Sequence, residues 1–318
     1  MREPRHISPT SLSLFETDRR EYYLMYLAEN RPPKIKQTKA MAVGSAFDAY
    51  VKSEIAGRLS IPGYSREDLI VSQVEDPAMH DWAHSVGGYL LDLYLRFGGL
   101  TDLLTVIGSN GGSVRMEFST DCIVDGCVPL YGKPDLYFDR PGMTPVIIDW
   151  KVNGFMSKAS PCGGWIKCRD CWDSGLAKPT RQRATTGHPG VVDGVMVNLN
   201  GFRGTGYYAK WQDQLATYGL CAGVQSDLTC GIDQFVGTGK YAGASHLMRL
   251  AQHAWIIPNT YFESLIKRAS VMWAIVTSKD PALLFPCEPD PLAFVQSLDD
   301  YYKAFEDDED GAFAEMCR

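Results

Sequence analysis

Two short strand-like runs, joined by a turn, each carry an aspartate at one end. Asp135 comes directly before the apolar run 136–138, and Asp149 comes directly after the apolar run 145–148. The segment 139–144 between them contains proline and glycine, which is typical of a turn. Pairing of the two runs as a hairpin brings both carboxylates to the same end of one sheet. The pattern therefore predicts a β-sheet with an acidic end.

Lys151 adds an ammonium group to this end of the sheet. Side chains alternate between the faces of a strand, so Asp149 and Lys151 share one face and Trp150 lies on the other. Two carboxylates on one face form a hard oxygen site suited to Mg²⁺ or Mn²⁺. A lysine beside such a site can orient or deprotonate a water molecule, or stabilise charge on a phosphate. The same spacing also occurs at ordinary strand ends on protein surfaces, so a structural role stays open.

The spacing of residues in two further segments predicts a helix face and a strand. Gln214 and Tyr218 are four residues apart and share a helix face, with Trp211 on the same side. Glu117 lies in the alternating run 113–119, which is typical of a strand. By spacing alone, Gln214 and Tyr218 also fit a half-buried helix face, and Glu117 fits a solvated strand residue.

Several segments outside these runs predict helices. Ser8 or Thr10 can cap a first helix, and an aromatic, basic stretch at 19–23 follows it. The run 89–97 is apolar on more than one face and predicts a packed helix, whereas 260–279 predicts an amphipathic helix.

These segments, in this order, resemble the motifs of the PD-(D/E)xK nuclease superfamily, in its RecB-like and phage-exonuclease branch. The pair 134–135 matches the first acidic motif of that family, and the triplet 149–151 matches the second. The segment 214–218 matches its Gln-x-x-x-Tyr helix. The segment 42–50 matches its Gly-x-x-x-His helix, although Asp48 stands where histidine is usual. An aspartate binds a hard cation more readily than a histidine does.

The resemblance implies a fold, an activity and a set of functional residues. The fold is α/β, with a central mixed sheet flanked by helices around a restriction-endonuclease-like core. The activity is Mg²⁺- or Mn²⁺-dependent hydrolysis of DNA phosphodiester bonds, by an exonuclease in phage-type recombination or DNA processing. Such exonucleases often act with a single-strand annealing protein. The implied catalytic residues are Asp135, Asp149, Lys151, Gln214 and Tyr218. The implied metal ligands are Asp135, Asp149, Glu117 and Asp48.

The length fits one nuclease domain over residues 1–318, with an insertion at about 152–206 and an acidic C-terminal tail at about 299–318. The insertion is rich in glycine, proline and basic residues, which predicts a long loop near the active site. The net charge is −7, but local basic clusters decide affinity for phosphates. No run approaches the roughly 20 apolar residues of a membrane span. The N-terminus lacks the apolar stretch of a signal peptide, so we expect a cytoplasmic protein, in the host cell if a phage encodes it.

The insertion also contains a candidate zinc site. Cys162, Cys168 and Cys171 have the spacing Cys-x₅-Cys-x₂-Cys, and His188 follows them. Three thiolates and one imidazole are a ligand set that favours tetrahedral Zn²⁺, in a structural role. Three reduced thiols in a loop are the simpler alternative, because one Cys-x-x-Cys is a weak signal.

Two other functions fit parts of the sequence. One is a catalytically inactive relative that binds nucleic acid without cutting it, against which the intact Asp135, Asp149 and Lys151 argue. The other is a zinc-stabilised nucleic-acid-binding protein in which the cysteine segment is the functional part. Dependence of DNA cleavage on Mg²⁺ or Mn²⁺ separates a nuclease from both.

Overall fold

A seven-stranded mixed β-sheet lies at the centre of the protein, with helices packed on both of its faces. The structure is a computed structural model, and it describes residues 1–33, 36–96, 98–108, 113–139, 142–153, 190–192, 195–198, 206–237 and 248–306. The prediction of an α/β fold with a central mixed sheet is confirmed.

The strands of the described residues are β1 (Val114–Met116), β2 (Thr120–Val124), β3 (Val128–Gly132), β4 (Leu136–Phe138), β5 (Val146–Asn153), β6 (Gly190–Val192), β7 (Val195–Asn198), β8 (Leu228–Gly237) and β9 (Met248–Ile257). The order in the sheet is β1-β4-β5-β8-β9-β7-β6, and β2 pairs with β3 as a separate antiparallel hairpin. The strand β5 therefore has a hydrogen-bonded neighbour on each side.

The strands β4 and β5 form the hairpin that the sequence predicts. They are antiparallel, with Leu136 opposite Ile148. On its other side β5 pairs in parallel with β8, which places Asp149 opposite Ile232. Because β5 is an internal strand, Asp149 lies within the sheet and not at an exposed edge.

The helices are α1 (Pro9–Thr17), α2 (Arg19–Tyr22), α3 (Lys39–Leu59), α4 (Arg66–Gln73), α5 (His80–Arg96), α6 (Gly99–Gly108), α7 (Gly206–Cys221), α8 (Asn259–Ser278), α9 (Pro281–Leu284) and α10 (Pro291–Glu306). Ser8 caps α1: its Oγ accepts the Ser11 N–H at 3.2 Å, and the Ser11 Oγ accepts the Ser8 N–H at 2.8 Å. The helices predicted from residues 89 and 260 onwards lie in α5 and α8, respectively.

Two apolar cores cover the two faces of the sheet. One contains residues of α1, α7, α8 and α10 together with Ile147 of β5. The other contains residues of α3, α5 and α6 together with Val146 and Trp150 of β5. The alternation along β5 therefore points Asp149 and Lys151 to the side of α1 and α7, because they follow Ile147 at two-residue intervals.

The predicted insertion and the predicted acidic tail both contain regular secondary structure where the structure describes them. The described parts of the predicted insertion loop form strands: 152–153 complete β5, and 190–192 pairs with 195–198 as a hairpin. The second of these strands adds in parallel to β9 at the far edge of the sheet. The acidic tail predicted from residue 299 begins inside α10, where the Asp299 carboxylate accepts the Tyr23 hydroxyl at 2.9 Å.

Candidate active site

Asp135 and Asp149 lie together at the end of the β4–β5 hairpin. The Asp135 Oδ2 accepts the backbone N–H of Trp150 at 3.1 Å. The two carboxyl groups interact, since each shifts the pKa of the other. The Asp149 side chain is almost fully buried, whereas about a quarter of the Asp135 side chain, 24%, is exposed. The structure therefore brings together the two aspartates that the sequence pattern singles out.

Lys151 contacts Asp149 on the same face of β5. Its Nζ is paired with the Asp149 Oδ2, and 25% of the lysine side chain is exposed. Trp150 lies in the opposite core, where its Nε1 donates to the Tyr94 hydroxyl at 3.4 Å. The predicted alternation of these three residues is confirmed, and it leaves the Lys151 ammonium between the buried carboxyl pair and solvent.

The two carboxyl groups are in different electrostatic environments. Burial raises the pKa of Asp149 to about 7; the Lys151 ammonium opposes this rise and the Asp135 carboxylate adds to it. At Asp135 burial also acts to raise the pKa, but the ammonium groups of Lys52 and Lys151 outweigh burial and hold the pKa below its usual value. Asp149 therefore holds a proton more readily than Asp135 does.

Lys52 of α3 is a central residue of the site that the sequence analysis did not identify. Its ammonium group is fully buried and lies 2.6 Å from the Asp48 Oδ2, 3.3 Å from the Glu117 Oε2 and 3.4 Å from the Asp135 Oδ1. Burial acts to lower the pKa of Lys52, but the three carboxylates outweigh it and raise the pKa above its usual value. A lysine four residues after an aspartate on one helix is the sequence signal that could have identified it.

Glu117 lies just outside a strand, whereas the sequence pattern predicts that it lies within one. The strand β1 ends at Met116, and Glu117 adopts a left-handed backbone conformation with φ 53°. Such a conformation costs a non-glycine residue roughly 1 kcal/mol and turns its side chain away from the strand's regular faces. The Glu117 Oε1 accepts the Gln73 Nε2 at 2.9 Å and is paired with the Lys133 Nζ at 2.7 Å. Glu117 is thus held inside the cluster and is not a solvated strand residue.

Whether the site can bind a metal ion depends on which of its carboxylates are not already occupied by an ammonium group. The described residues contain no group of three or more His, Cys, Asp or Glu side chains arranged to hold a metal. The Lys52 ammonium fills the space between Asp48, Glu117 and Asp135. The pair of Asp135 and Asp149 does suit a hard divalent cation, because two adjacent carboxylates repel each other and a bound cation would offset that repulsion. The Asp48 Oδ1 is buried and has no hydrogen-bond partner within the described ranges.

Gln214 and Tyr218 of α7 hold the carboxyl pair from the other side. The Gln214 Nε2 donates to the Asp149 Oδ1 at 3.2 Å and to the Tyr218 hydroxyl at 2.8 Å. Burial raises the pKa of Tyr218 well above its ordinary value, so the phenol stays neutral. A Cβ atom at Gly132 would lie 2.7 Å from the Tyr218 Cδ1, so the close approach of β3 to α7 requires glycine there.

A cleft of about 640 Å³ opens beside this site. One side of α1, residues 21–26, the end of β3 and one side of α7 form its walls. Lys133, Lys151 and Lys210 supply ammonium groups to it, whereas its described lining includes one acidic side chain, Glu21. Gln214 lines the part nearest the carboxyl pair. The cleft is therefore basic although the whole chain is acidic.

The candidate zinc ligands cannot be placed in this arrangement. Cys162, Cys168, Cys171 and His188 lie outside the described residues. The zinc site stays a prediction from the sequence.

Comparison with known proteins adds little to the geometry. No family model matches the chain, and no curated protein matches it. Among solved structures, the crystal structure of SSO0001 aligns over 85% of this chain and 95% of its own, with 12% identity and a TM-score of 0.25. A likeness at this TM-score carries no argument about fold or function. Within the described ranges no helix has the length and apolarity that crossing a bilayer requires.

Proposed function

We propose that this chain is a deoxyribonuclease that hydrolyses DNA phosphodiester bonds and requires Mg²⁺ or Mn²⁺. One observation carries the proposal: the adjacent carboxyl groups of Asp135 and Asp149 lie beside the Lys151 ammonium, which lines a lysine-rich cleft. Acidic oxygen ligands beside an ammonium group at the wall of a basic cleft are the groups that phosphodiester hydrolysis needs.

In this proposal, Asp135 and Asp149 hold the divalent cation. The chemistry that such a cation would supply there is Lewis-acid stabilisation of the charge on the phosphate. The protein orients the carboxylates beforehand, because the Trp150 N–H fixes Asp135 and the Gln214 amide fixes Asp149. Tyr218 in turn accepts from Gln214 and limits its rotation. These contacts reduce the reorganisation that metal and substrate binding would otherwise require.

Lys151 is the group of the site that acts on the reacting phosphate. It pairs with Asp149, and its partial exposure lets the ammonium reach the cleft. A cation in a partly buried position stabilises the charge that develops on the phosphate oxygens, and it can orient the attacking water. The lysine therefore contributes more in the transition state than in the bound substrate, so it affects the rate more than DNA binding.

The cleft provides the path for the DNA backbone. Lys133 and Lys210 lie along it and neutralise phosphates without reading sequence. The first turn of α1 also lines the cleft, and the N-terminus of a helix is a favourable environment for phosphate oxygens. From the resemblance given above, we further propose that the enzyme acts from DNA ends, works with a single-strand annealing protein and is cytoplasmic.

The test is cleavage of end-labelled linear, circular and single-stranded DNA with Mg²⁺ and with EDTA. We expect digestion of linear DNA only with the metal, and resistance of circular DNA if the enzyme needs an end. Lys151→Ala should lose at least about 10²-fold in cleavage while its DNA affinity changes little. Lys267→Ala, which removes an exposed lysine of α8, is the matched control and should retain full activity.

Near wild-type cleavage by folded Lys151→Ala protein would refute the role assigned to this lysine. Binding of DNA by the wild type without cleavage in either metal would favour an inactive nucleic-acid-binding protein instead.

A further inference from the structure

Lys52 is the most deeply buried charge of the site. Its side chain has 0% exposure, and its Nζ is surrounded by carboxylates from three different segments. Lysine is almost never fully buried unless it is paired, because removing an ammonium group from water is costly. A residue in this position cannot touch DNA, so its role must be exerted through the carboxylates around it.

We propose that the Lys52 ammonium takes the place of a second cation, so that the site binds a single divalent ion at Asp135 and Asp149. This inference rests on the proposed metal-dependent activity and specifies its metal requirement. Lys52 is accordingly a positioning residue for the carboxylates, and Asp48 and Glu117 are its partners and not metal ligands.

The donor capacity of the ammonium group supports this assignment. An ammonium has three N–H donors and no acceptor. Three carboxylate oxygens lie within 3.4 Å of the Nζ, one each from Asp48, Glu117 and Asp135. The ammonium donates hydrogen bonds to the Asp48 Oδ2 and the Asp135 Oδ1, and it forms an ion pair with the Glu117 Oε2. It therefore interacts with three carboxylates at once, as a metal ion with three carboxylate ligands would.

Asp135 connects the Lys52 ammonium to the proposed metal site at Asp135 and Asp149. Its Oδ1 faces Lys52, while its Oδ2 accepts the Trp150 N–H, and its carboxyl also meets that of Asp149. In two-metal sites the ions lie about 3.5 to 4 Å apart, which is the distance over which one carboxylate can contact both. Here Asp135 has a cation on one oxygen already, and its other oxygen is held by the Trp150 N–H next to Asp149.

The partners of Lys52 are themselves occupied. The Gln73 Nε2 donates to the Asp48 Oδ2 at 3.0 Å and to the Glu117 Oε1 at 2.9 Å. Lys133 is a further partner of the Glu117 Oε1, so both oxygens of Glu117 are in use. The buried Oδ1 of Asp48, by contrast, has no hydrogen-bond partner among the described residues. Asp48 is therefore the residue at which the inference can be tested most directly.

The experiment is calorimetric titration of the full chain with MnCl₂ in the absence of DNA. We expect one Mn²⁺ per wild-type chain. Lys52→Met keeps the length of the side chain but leaves three carboxylates without a cation, so it should bind two Mn²⁺. Its melting temperature should fall in EDTA and rise on adding Mn²⁺ by more than that of the wild type. Lys267→Met is the control for a lost lysine and should bind one.

Asp48→Asn keeps an oxygen for Lys52 and decides the role of the orphaned Oδ1. If Asp48 only holds Lys52, Asp48→Asn should weaken Mn²⁺ binding much less than Asp135→Asn does, whereas removal of a direct ligand should cost as much as Asp135→Asn, which is the larger loss. Two Mn²⁺ per wild-type chain, or the larger loss, would overturn the inference and leave the nuclease proposal standing. One Mn²⁺ per wild-type chain without any DNA cleavage would overturn the nuclease proposal and leave this inference standing. If Lys52→Met does not fold, the number of Mn²⁺ ions bound by the wild type and the Mn²⁺ affinity of Asp48→Asn still test the inference.

Discussion

Asp149→Asn should abolish DNA cleavage and, unusually for an active-site substitution, stabilise the metal-free protein at high pH. The pKa of Asp149 is higher in the folded protein, about 7, than the value of about 3.9 in an unfolded chain. A carboxyl with a raised folded pKa contributes stability that is fully present below the unfolded pKa and is lost as the pH rises through the folded pKa. Asparagine carries no charge at any pH and avoids this loss.

The magnitude follows from the size of the shift. A rise from 3.8 to about 7 corresponds to about 4 kcal/mol at 1.36 kcal/mol per pH unit. The loss of the Lys151 contact and the shared titration with Asp135 reduce the net gain, so about 2 to 4 kcal/mol is expected. The amide that Asp149→Asn introduces keeps an oxygen for Gln214. Its N–H groups can also donate to the Asp135 carboxylate.

The assay is denaturant unfolding in EDTA at pH 5 and pH 8.5. The variant should be more stable than the wild type at pH 8.5, and the difference should shrink at pH 5. Mn²⁺ at pH 8.5 should stabilise the wild type and have little effect on the variant. Asp48 also has a raised pKa, so part of the wild-type slope with pH should persist in the variant. Glu263→Gln, at an exposed position of α8, is the control and should follow the wild type.

A variant that is no more stable than the wild type at pH 8.5 would refute the argument, because the ionised carboxyl would then cost nothing in the fold. Full cleavage activity in Asp149→Asn would refute the metal site itself.

Three further predictions test the site and the insertion. Asp135→Asn should eliminate cleavage and weaken Mn²⁺ binding at least about 10-fold by calorimetry, since it removes a charged ligand; unchanged affinity would place the metal elsewhere. Gly132→Ala should destabilise the protein by about 1 to 3 kcal/mol in denaturant unfolding and lower activity, because the new Cβ would lie 2.7 Å from Tyr218; wild-type values would contradict the close packing. Protein purified without added metal should contain one Zn²⁺ per chain by elemental analysis, and Cys168→Ser/Cys171→Ser should lose it; zinc well below one equivalent would leave reduced thiols.

Local patterns in the sequence predict much of the site. The apolar runs around Asp135 and Asp149 predict their hairpin, and the two-residue period places Lys151 beside Asp149. The four-residue spacing of Gln214 and Tyr218 predicts that they share a helix face, where the structure shows a hydrogen bond between them. Each of these relations depends on a repeat within one strand, hairpin or helix, so the sequence contains the information directly.

Other contacts join segments that lie far apart in the chain, and no local pattern predicts them. Lys52 meets Asp135 across 83 residues, and Gln73 meets Glu117 across 44. The left-handed backbone of Glu117 also depends on its surroundings, because its sequence run fits a continuous strand. The sequence predicts a loop where the structure has β6 and β7. The sequence pattern misses these strands because they depend on the neighbouring strand β9 that is available for pairing.

Reading the chain alone is enough to establish which charged groups this protein has and which of them share a strand or a helix face. Which charges neutralise one another is settled by the packing of distant segments. Burial is the physical reason, because each charge removed from water requires a partner, and the partner can come from any segment that packs nearby. A sequence pattern identifies Asp48, Asp135 and Glu117 as candidate metal ligands, but packing places the Lys52 ammonium between them.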